Sequence, residues 1–258
     1  MVEAEENFGF ATPRDVRELT DCYFYHTMDV PGFGVQKGHW DLRGRFHDYI
    51  GGVDVTGKSV LDIGTASGFL SFAAEAHGAS RVVSFDMSDV RQQAFVPFKG
   101  KQYTEDYEGW IRDYQKRIDK WKNAYWLCHQ RLSSKAEVFY GNVYHLPSDL
   151  GEFDITIVGS VLEHLVDPVS ALISISRLTR KRLILITPMI NSDDKIARFE
   201  PSSDRPDDDF TWWTYSTALY RELLAILGFE IEKISAAEFY HEYAGRMEQR
   251  STLVAVRG

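Results

Sequence analysis

The chain has 258 residues, 44% of them hydrophobic and 26% charged, which is enough for one large α/β domain with a real core. Its formal net charge of -9 at pH 7 argues against broad affinity for nucleic-acid backbones, because that affinity depends on lysine and arginine. No stretch approaches the roughly 20 apolar residues that a membrane-spanning helix needs, so we expect no membrane association.

The N-terminal sequence and the cysteine content favour a reducing, cytoplasmic location. Residues 1–6 are acidic where a secretory signal would be basic, and no apolar segment follows them. The two cysteines, Cys22 and Cys128, lie far apart and outside any CxxC spacing. We therefore expect neither a disulfide framework nor a metal site.

The first 56 residues are predicted to form a helical appendage. A helix is expected to begin at 12–15, where a proline follows a threonine that can serve as the N-cap. A second helix is expected to have its apolar face over 46–50 and to end at the glycine pair 51–52.

Beyond residue 56, strands and helices alternate, which predicts a Rossmann-like, mostly parallel sheet covered by helices. The predicted strands lie at 59–63, 81–85, 136–140, 153–158 and 183–187, with helices at 68–76 and 168–178. A last helix at 216–227 precedes strands at 229–235 and 252–256, separated by a polar helical or looped segment. The sheet is therefore expected to finish with an antiparallel final strand.

A helical insertion is predicted between the second and third strands, over about 92–134. Apolar and aromatic side chains recur there at spacings of three and four, namely Trp110, Tyr114, Ile118, Trp121, Tyr125 and Cys128. Core packing is the leading interpretation for each of these side chains. Since the insertion follows a strand end, we expect the segment as a whole to roof an acceptor site and to set specificity.

Ligand-binding residues are expected at the carboxyl ends of the strands. Small residues at 64–68 join the first strand to a helix and let a ligand approach the backbone. Asp86 ends the second strand about twenty residues on, where a carboxylate can accept both ribose hydroxyls. Asp62 suits an ammonium group, and Asn142 could read an adenine edge. This set of residues favours a ligand in which adenosine is joined to an amino acid over a dinucleotide, which would place a pyrophosphate over the turn. The incomplete G-x-G-x-x-G spacing also argues against a nicotinamide-dependent enzyme.

Four motifs follow one another in order: VLDIGTASGF at 60–69, VVSFDMSD at 82–89, GNVYHLP at 141–147 and FDITIVGSVLEHLVDP at 153–168. Together they resemble the successive motifs of class I S-adenosylmethionine-dependent methyltransferases, over about 57–256. With GHWDLR at 38–43 and the segment 212–216, the chain looks like the branch that contains the tRNA wobble-uridine 5-oxyacetyl methyltransferases.

The resemblance implies a set of contacts with S-adenosylmethionine. It assigns the methionine part to Asp62, Gly64, Thr65, Ala66, Ser67 and Gly68, the ribose and adenine to Asp86, Met87, Asn142 and Val143, and the region beneath the sulfonium to Ser160 and Val161. Trp40 and Arg43 also carry the resemblance, and Arg43 is expected to bind a carboxylate. Ala66 stands where the family usually has glycine, and Asn142 where it often has aspartate.

Glu163 and His164 follow the fourth strand at the mouth of the expected pocket. We interpret His164 as the candidate base or cofactor-facing wall, and Glu163 as its orienting or substrate-binding partner. The alternative is that Glu163 caps a turn and His164 merely packs.

Aromatic side chains supply the candidate substrate contacts. Tyr23, Tyr25 and His26 are expected in an N-terminal lid, although they could equally be the apolar face of the appendage. Either Trp212 or Trp213 is expected to wall the acceptor site while the other packs.

The sequence therefore predicts a methyltransferase that uses S-adenosylmethionine to methylate oxygen or nitrogen of a small molecule, and we expect a role in specialised metabolism. One alternative is a tRNA wobble-uridine enzyme, which would need a basic face. The basic residues at 112–122 alternate with acids and are more typical of a solvated helix. A second alternative is a noncatalytic module that binds the cofactor. A third is an enzyme whose cofactor is a carboxy-substituted S-adenosylmethionine.

Overall fold

The computed structural model describes residues 9–258; the acidic residues 1–6, on which the expectation about secretion rests, lie outside them. The elements in chain order are β1 Met28–Val30, β2 Gly34–Gln36, β3 Trp40–Asp41, α1 Phe46–Tyr49, β4 Ser59–Ile63, α2 Phe69–Ala76, β5 Arg81–Met87, α3 Gln102–Glu105, α4 Tyr107–Arg131, β6 Glu137–Gly141, β7 Phe153–Gly159, α5 Pro168–Leu178, β8 Thr179–Ile186, β9 Met189–Ile190, β10 Ala197–Phe199, β11 Trp213–Ser216, α6 Thr217–Ile226, β12 Phe229–His241 and β13 Arg246–Arg257.

Eight strands form the central sheet in the order β3-β12-β13-β8-β7-β4-β5-β6. The five strands from β8 to β6 are parallel, and β13 and β12 continue the sheet in antiparallel fashion. The strand order reverses between β4 and β7, which is where a parallel sheet offers its ligand crevice. The predicted mostly parallel sheet with an antiparallel end is confirmed.

The sheet is buried on both faces, and alternate residues of one strand enter different clusters. Val60 of β4 packs with α2 and α4 on one face, whereas Leu61 packs with α5 and α6 on the other. This arrangement explains why the parallel strands read as short, nearly continuous apolar runs.

The helix predicted at 12–15 is wrong. Residues 11–18 have no regular secondary structure, and only a 3₁₀ turn at Leu19–Asp21 follows. The backbone of this segment bonds to distant elements instead: the Ala11 N–H donates to the Val138 carbonyl at 2.7 Å, and the Tyr23 N–H to the Lys120 carbonyl at 3.0 Å. Tertiary contacts with β6 and α4 thus override the local capping signal. The short helix predicted over 46–50 is present as α1.

The insertion forms α4, a helix of 25 residues, as predicted. The Asp106 carboxylate caps it by accepting the Gly109 N–H at 3.0 Å. Tyr125 and Cys128 are buried in the main core, which agrees with the packing interpretation for those two side chains. Within 9–258, no helix combines the length and apolar character needed to cross a bilayer.

The helical or looped segment predicted between the last two strands is wrong. β12 and β13 continue past the end of β8 as one antiparallel hairpin, paired from Phe229 with Arg257 to His241 with Arg246. Phe239 is buried and packs edge-on against Tyr49 at 5.1 Å, so the outer part of the hairpin has its own core contact. A second, three-stranded sheet, β10-β11-β9, was not predicted.

Candidate active site

The carboxyl ends of β4 to β7 open into a cavity of about 610 Å³. Its walls come from the N-terminal segment, the strand ends, α4, the loop before β11 and the hairpin. The lining residues are Tyr23, Tyr25, His39, Trp40, Ile63, Gly64, Ala66, Phe85, Asp86, Met87, Gln92, Gln93, Phe95, Tyr114, Arg117, Trp121, Gly141, Asn142, Val143, Gly159, Ser160, Val161, Glu163, His164, Leu165, Pro188, Asp209, Phe210, Thr211, His241, Glu248 and Arg250.

The loop between β4 and α2 depends on glycine. Gly64 has a φ of 76° and Gly68 a φ of 90°, and a Cβ on Gly64 would lie 2.4 Å from Cγ2 of Val161. Ala66 also lies in the left-handed region, with a φ of 49°, although it carries a Cβ. Gly64 and Ala66 line the cavity, whereas Thr65, Ser67 and Gly68 stand behind them.

Asp86 is tied to this loop. Its Oδ2 accepts the Ala66 N–H at 2.8 Å, and its Oδ1 accepts the Met87 N–H at 2.7 Å. Burial raises the pKa of this carboxyl, while the two backbone hydrogen bonds and the charge of Lys122 act in the opposite direction. Asp86 and Met87 both line the cavity at the end of β5, where the sequence predicts them.

Asp62 lies beneath the loop rather than on the cavity wall. Its Oδ2 accepts the Ser71 hydroxyl at 2.7 Å, and its Oδ1 has no hydrogen-bond partner within the described chain. Burial raises the pKa of this carboxyl to about 6. A buried carboxylate oxygen without a partner fits an ammonium group, which would stabilise its charged form.

The next two strand ends also meet the cavity. Asn142 and Val143 line it after β6, and the Asn142 Oδ1 accepts the Tyr144 N–H at 3.0 Å. Ser160 and Val161 line it after β7, with Ser160 at a φ of 51°. All four thus lie where the sequence predicts cofactor contacts.

Glu163 and His164 both line the cavity but are oriented by different groups. The buried Glu163 accepts the Thr187 hydroxyl at 3.1 Å. His164 Nδ1 lies 2.9 Å from the carbonyl oxygen of Phe210. Because a carbonyl can only accept, Nδ1 carries the hydrogen, and Nε2 of the neutral ring is left as a proton acceptor. Phe210, rather than the predicted Glu163, therefore orients His164.

Trp40 and Arg43 lie in different places. Trp40 lines the cavity, but Arg43 lines a separate cavity of about 340 Å³. The Arg43 guanidinium donates to Asp41 at 2.8 and 2.9 Å and to Asp29 at 2.9 Å. Contrary to the prediction, Arg43 is away from the cofactor site, because two neighbouring carboxylates satisfy it.

Two of the five predicted substrate residues, Tyr23 and Tyr25, line the cavity. His26 is buried against Phe69, with ring centroids 5.7 Å apart, and burial lowers its pKa to about 3. Its backbone N–H, like that of Tyr25, donates to the Ser67 hydroxyl. His26 thus anchors the N-terminal segment to the glycine-rich loop instead of facing a substrate.

Neither predicted tryptophan is on the cavity wall. The indole N–H of Trp212 donates to the Ala94 carbonyl at 2.9 Å, and that of Trp213 to the Val166 carbonyl at 3.0 Å. The preceding residues, Phe210 and Thr211, line the cavity instead. The tryptophans therefore fasten this loop to its neighbours, which corrects their assignment to the wall.

Sequence reasoning assigned no role at the site to Glu248 and Arg250 of the hairpin. His241, Glu248 and Arg250 line the cavity because β12 and β13 extend above the ends of the parallel strands. It also treated Tyr114 and Trp121 of α4 as core, although both reach the cavity.

The fold and the arrangement of these strand ends are those of a Rossmann-like methyltransferase. The family model described as "Methyltransferase domain" matches residues 41–234. The chain belongs to this family and is an enzyme of the methyltransferase class, as the sequence predicts. Its cofactor, accordingly, is S-adenosylmethionine.

Solved structures support the fold. A magnesium protoporphyrin IX methyltransferase from Synechocystis PCC 6803, determined with S-adenosylmethionine bound, is 18% identical with a TM-score of 0.51, over 83% of this chain and 76% of that one. A methyltransferase from Methanosarcina mazei is 17% identical with a TM-score of 0.50, over 84% of this chain and 98% of that one. At these identities the similarity concerns the fold.

Proposed function

We propose that this enzyme transfers a methyl group from S-adenosylmethionine to an oxygen or nitrogen atom of a small-molecule acceptor. The observation that carries the proposal is that Asp86, Asn142, Glu163, His164 and several aromatic side chains line the same cavity of about 610 Å³. Its volume lies within the range of small-ligand sites. The cofactor supplies an activated methyl group on a sulfonium and leaves as a neutral thioether.

The residues of the strand ends hold the cofactor. Asp86 accepts the ribose hydroxyls through the lone pairs that its two backbone hydrogen bonds leave free. Asp62 neutralises the ammonium group, and Asn142 with Val143 borders the adenine. Gly64 and Ala66 leave room for the methionine part, Thr65, Ser67 and Gly68 shape the loop behind them, and Ser160 and Val161 form the floor beneath the sulfonium.

His164 removes the proton of an acceptor that is protonated at working pH. The Phe210 carbonyl fixes the ring with its Nε2 lone pair free to take that proton. Glu163 is held by Thr187 on the same wall and contacts the acceptor. The cavity walls otherwise contribute by aligning the acceptor with the methyl group and by excluding water.

The N-terminal segment acts as a lid and the insertion as a roof. Tyr23, Tyr25, His39 and Trp40 supply one wall of the cavity, and the α4 residues Tyr114, Arg117 and Trp121 supply the adjoining wall. The two parts touch through the stacked rings of Tyr23 and Trp121, whose centroids lie 6.2 Å apart. These side chains determine which acceptors enter.

The disposition of the α4 cations favours a small acceptor over tRNA. Lys122 is buried, Lys116 pairs with Asp113 at 3.1 Å, and Lys120 donates to the Thr20 carbonyl. Arg117 lines the cavity. These lysines are engaged locally instead of forming one open basic face of the kind that tRNA backbone binding requires.

Calorimetric titration with S-adenosylhomocysteine tests the cofactor site. Asp86→Ala is expected to weaken binding about 100-fold, because two hydrogen bonds to a charged group are lost. Asp89→Ala, three residues along the chain and outside the cavity wall, is the matched control and should leave the affinity unchanged. Absence of binding to the unaltered chain would refute the assignment of the cavity.

Incubation with methyl-labelled S-adenosylmethionine tests the acceptor class. We expect label on oxygen or nitrogen of members of an aromatic small-molecule panel, and none on tRNA that carries a 5-oxy-modified wobble uridine. Label on tRNA alone would favour the wobble-uridine alternative. Tight binding of S-adenosylhomocysteine with no label on any acceptor would favour a noncatalytic module.

A further inference from the structure

Arg250 is a cation at the cavity that the proposed mechanism does not use. It lies on β13, one residue before Ser251, whose carbonyl accepts the Thr187 N–H at 3.2 Å. Thr187 also donates its hydroxyl to Glu163. The strand therefore fixes Arg250 beside the end of β8, next to the residues that we assign to the acceptor.

The guanidinium of Arg250 is positioned by Trp40. Its Cζ lies 4.1 Å from the centre of the indole ring, and the arginine side chain is 23% exposed. Stacking on an aromatic face holds a guanidinium flat and leaves its in-plane N–H donors available. Trp40 itself is buried, so this platform is rigid.

The nearby carboxylate does not satisfy Arg250. Glu248 Oε2 is 3.8 Å from Arg250 Nη2, beyond hydrogen-bond distance. The other oxygen of Glu248 accepts two N–H groups of Arg246, at 3.1 and 3.2 Å. Among the described residues, no side chain or backbone group accepts a hydrogen bond from the guanidinium of Arg250.

The walls near Arg250 are aromatic. Tyr25, Trp40 and His39 line the cavity on its side, and the rings of Tyr25 and His39 stack with centroids 5.2 Å apart. Burial and the charge of Glu163 raise the pKa of Tyr25, and the charge of the nearby Arg250 acts in the opposite direction. A planar, partly desolvated ligand with one anionic group matches this combination of stacking surfaces and a single forked donor.

We propose that Arg250 binds the carboxylate of the methyl acceptor, and that the acceptor is a planar aromatic carboxylic acid. Two N–H groups of the guanidinium donate to the two carboxylate oxygens, and the aromatic body lies against the lid. This inference rests on the proposed function, which it deepens by naming the acceptor class.

The test compares 2-naphthoate with its neutral isostere 2-naphthamide on the full chain saturated with S-adenosylhomocysteine. Calorimetry or competition with an environment-sensitive dye gives both affinities. We expect the carboxylate to bind at least about tenfold more tightly than the amide, since a bidentate charge-assisted pair is lost with the amide. Arg250→Gln should reduce that ratio to about one, and Arg250→Lys should restore part of it because a point charge lacks the fork.

Arg221→Gln is the matched control. Arg221 is exposed on α6 and lies outside the cavity wall, so this substitution should leave the preference for the carboxylate intact. Affinity for S-adenosylhomocysteine should stay within about twofold in every variant. A loss of more than about tenfold in Arg250→Gln alone would instead assign Arg250 to the carboxylate of the cofactor and would overturn the proposal.

A cofactor-saturated chain that binds both naphthalene probes equally would also overturn it, while leaving the proposed function intact. Failure of the unaltered chain to bind S-adenosylhomocysteine would refute the proposed function, and this assignment with it. A carboxylate-bearing acceptor methylated as fast by Arg250→Gln as by the unaltered chain would contradict the acceptor class directly.

Discussion

The two halves of the cavity are built in different ways. The half that we assign to the cofactor comes from four strand ends, each followed within a few residues by the side chain that we expect to face the ligand. The half that we assign to the acceptor comes from segments far apart in the chain: the N-terminal segment, α4, the loop at 209–211 and the β12–β13 hairpin. Strand-end positions are set locally by sequence, whereas the acceptor wall exists only through long-range packing.

This difference has a functional consequence. The cofactor half is rigid because it is part of the doubly buried sheet. The acceptor half can change by substitution in four separate segments without disturbing that sheet. The comparison predicts that single substitutions separate cofactor affinity from turnover and specificity.

The largest expected effect is at His164, where the two halves meet. His164→Ala should lower turnover on the acceptor by about 100-fold to 1,000-fold, because the proton acceptor held by Phe210 is lost. Affinity for S-adenosylhomocysteine should stay within about twofold. Initial rates with labelled cofactor and calorimetry measure the two quantities.

His145→Ala provides the control for that comparison. His145 is exposed and lies outside the cavity wall, so both quantities should be unchanged. Equal losses of turnover and cofactor affinity in His164→Ala would show that the two halves are not separable at this position.

The contrast between locally defined strand ends and long-range packing also explains which elements and site residues could be predicted from the sequence. The strands at 59–63 and 153–158 and the helix at 168–178 were predicted nearly to the residue, because buried strands and capped helices have local signatures. Asp86 and Asn142 followed from those strand ends. Arg43, by contrast, was misplaced. It pairs with Asp41, two residues earlier, and with Asp29 of β1, and only long-range packing brings the second partner to it.

The hairpin shows the limit most clearly. Residues 236–251 mix small, polar and aromatic side chains. They form strands because β12 and β13 pair with each other past the end of β8, and because Phe239 packs against Tyr49. Trp212 and Trp213 were correctly placed after β8, the last parallel strand of the central sheet. Their indole N–H groups, however, donate to backbone carbonyls outside the cavity wall, so the rings do not line it. Direction of a side chain depends on such partners and not on position in the chain.

The second prediction tests the tight packing of the cofactor half. Gly64→Ala should lower the free energy of unfolding by about 2 to 4 kcal/mol, because it adds a 2.4 Å contact with Val161 to the cost of a left-handed backbone. Gly57→Ala is the matched control, since Gly57 has a similar φ of 68° and open space around it. It should cost only about 1 kcal/mol. Urea unfolding measures both, and equal losses would contradict the close contact.

The third prediction tests whether the N-terminal lid is part of the folded core. Burial lowers the pKa of His26 to about 3, so the unfolded chain binds a proton below about pH 6.5 that the folded chain does not. Stability is therefore present above pH 6.5 and is lost as the pH falls. Between pH 7 and pH 5, His26 should account for a loss of about 2 kcal/mol.

Urea unfolding of His26→Gln at the two pH values isolates that share. The variant should lose about 2 kcal/mol less than the unaltered chain over the same interval, whatever its stability at pH 7. The exposed His145→Gln should behave like the unaltered chain. An identical pH dependence in His26→Gln would mean that residue 26 is not buried with the core.

The smallest expected effect concerns Ala66, the residue at which the glycine-rich loop departs from the family pattern. A φ of 49° costs a residue with a Cβ about 1 to 2 kcal/mol, and glycine removes that cost while making the unfolded chain more flexible by about 0.4 to 1 kcal/mol. Ala66→Gly should therefore stabilise the chain by about 0.5 kcal/mol net. Ser133→Gly, at a φ of 53° just beyond α4, should do the same far from the cavity. Only Ala66→Gly is expected to change the affinity for S-adenosylhomocysteine as well, because the N–H of residue 66 donates to Asp86. If both variants changed that affinity, the effect of backbone strain could not be assigned to the cofactor site.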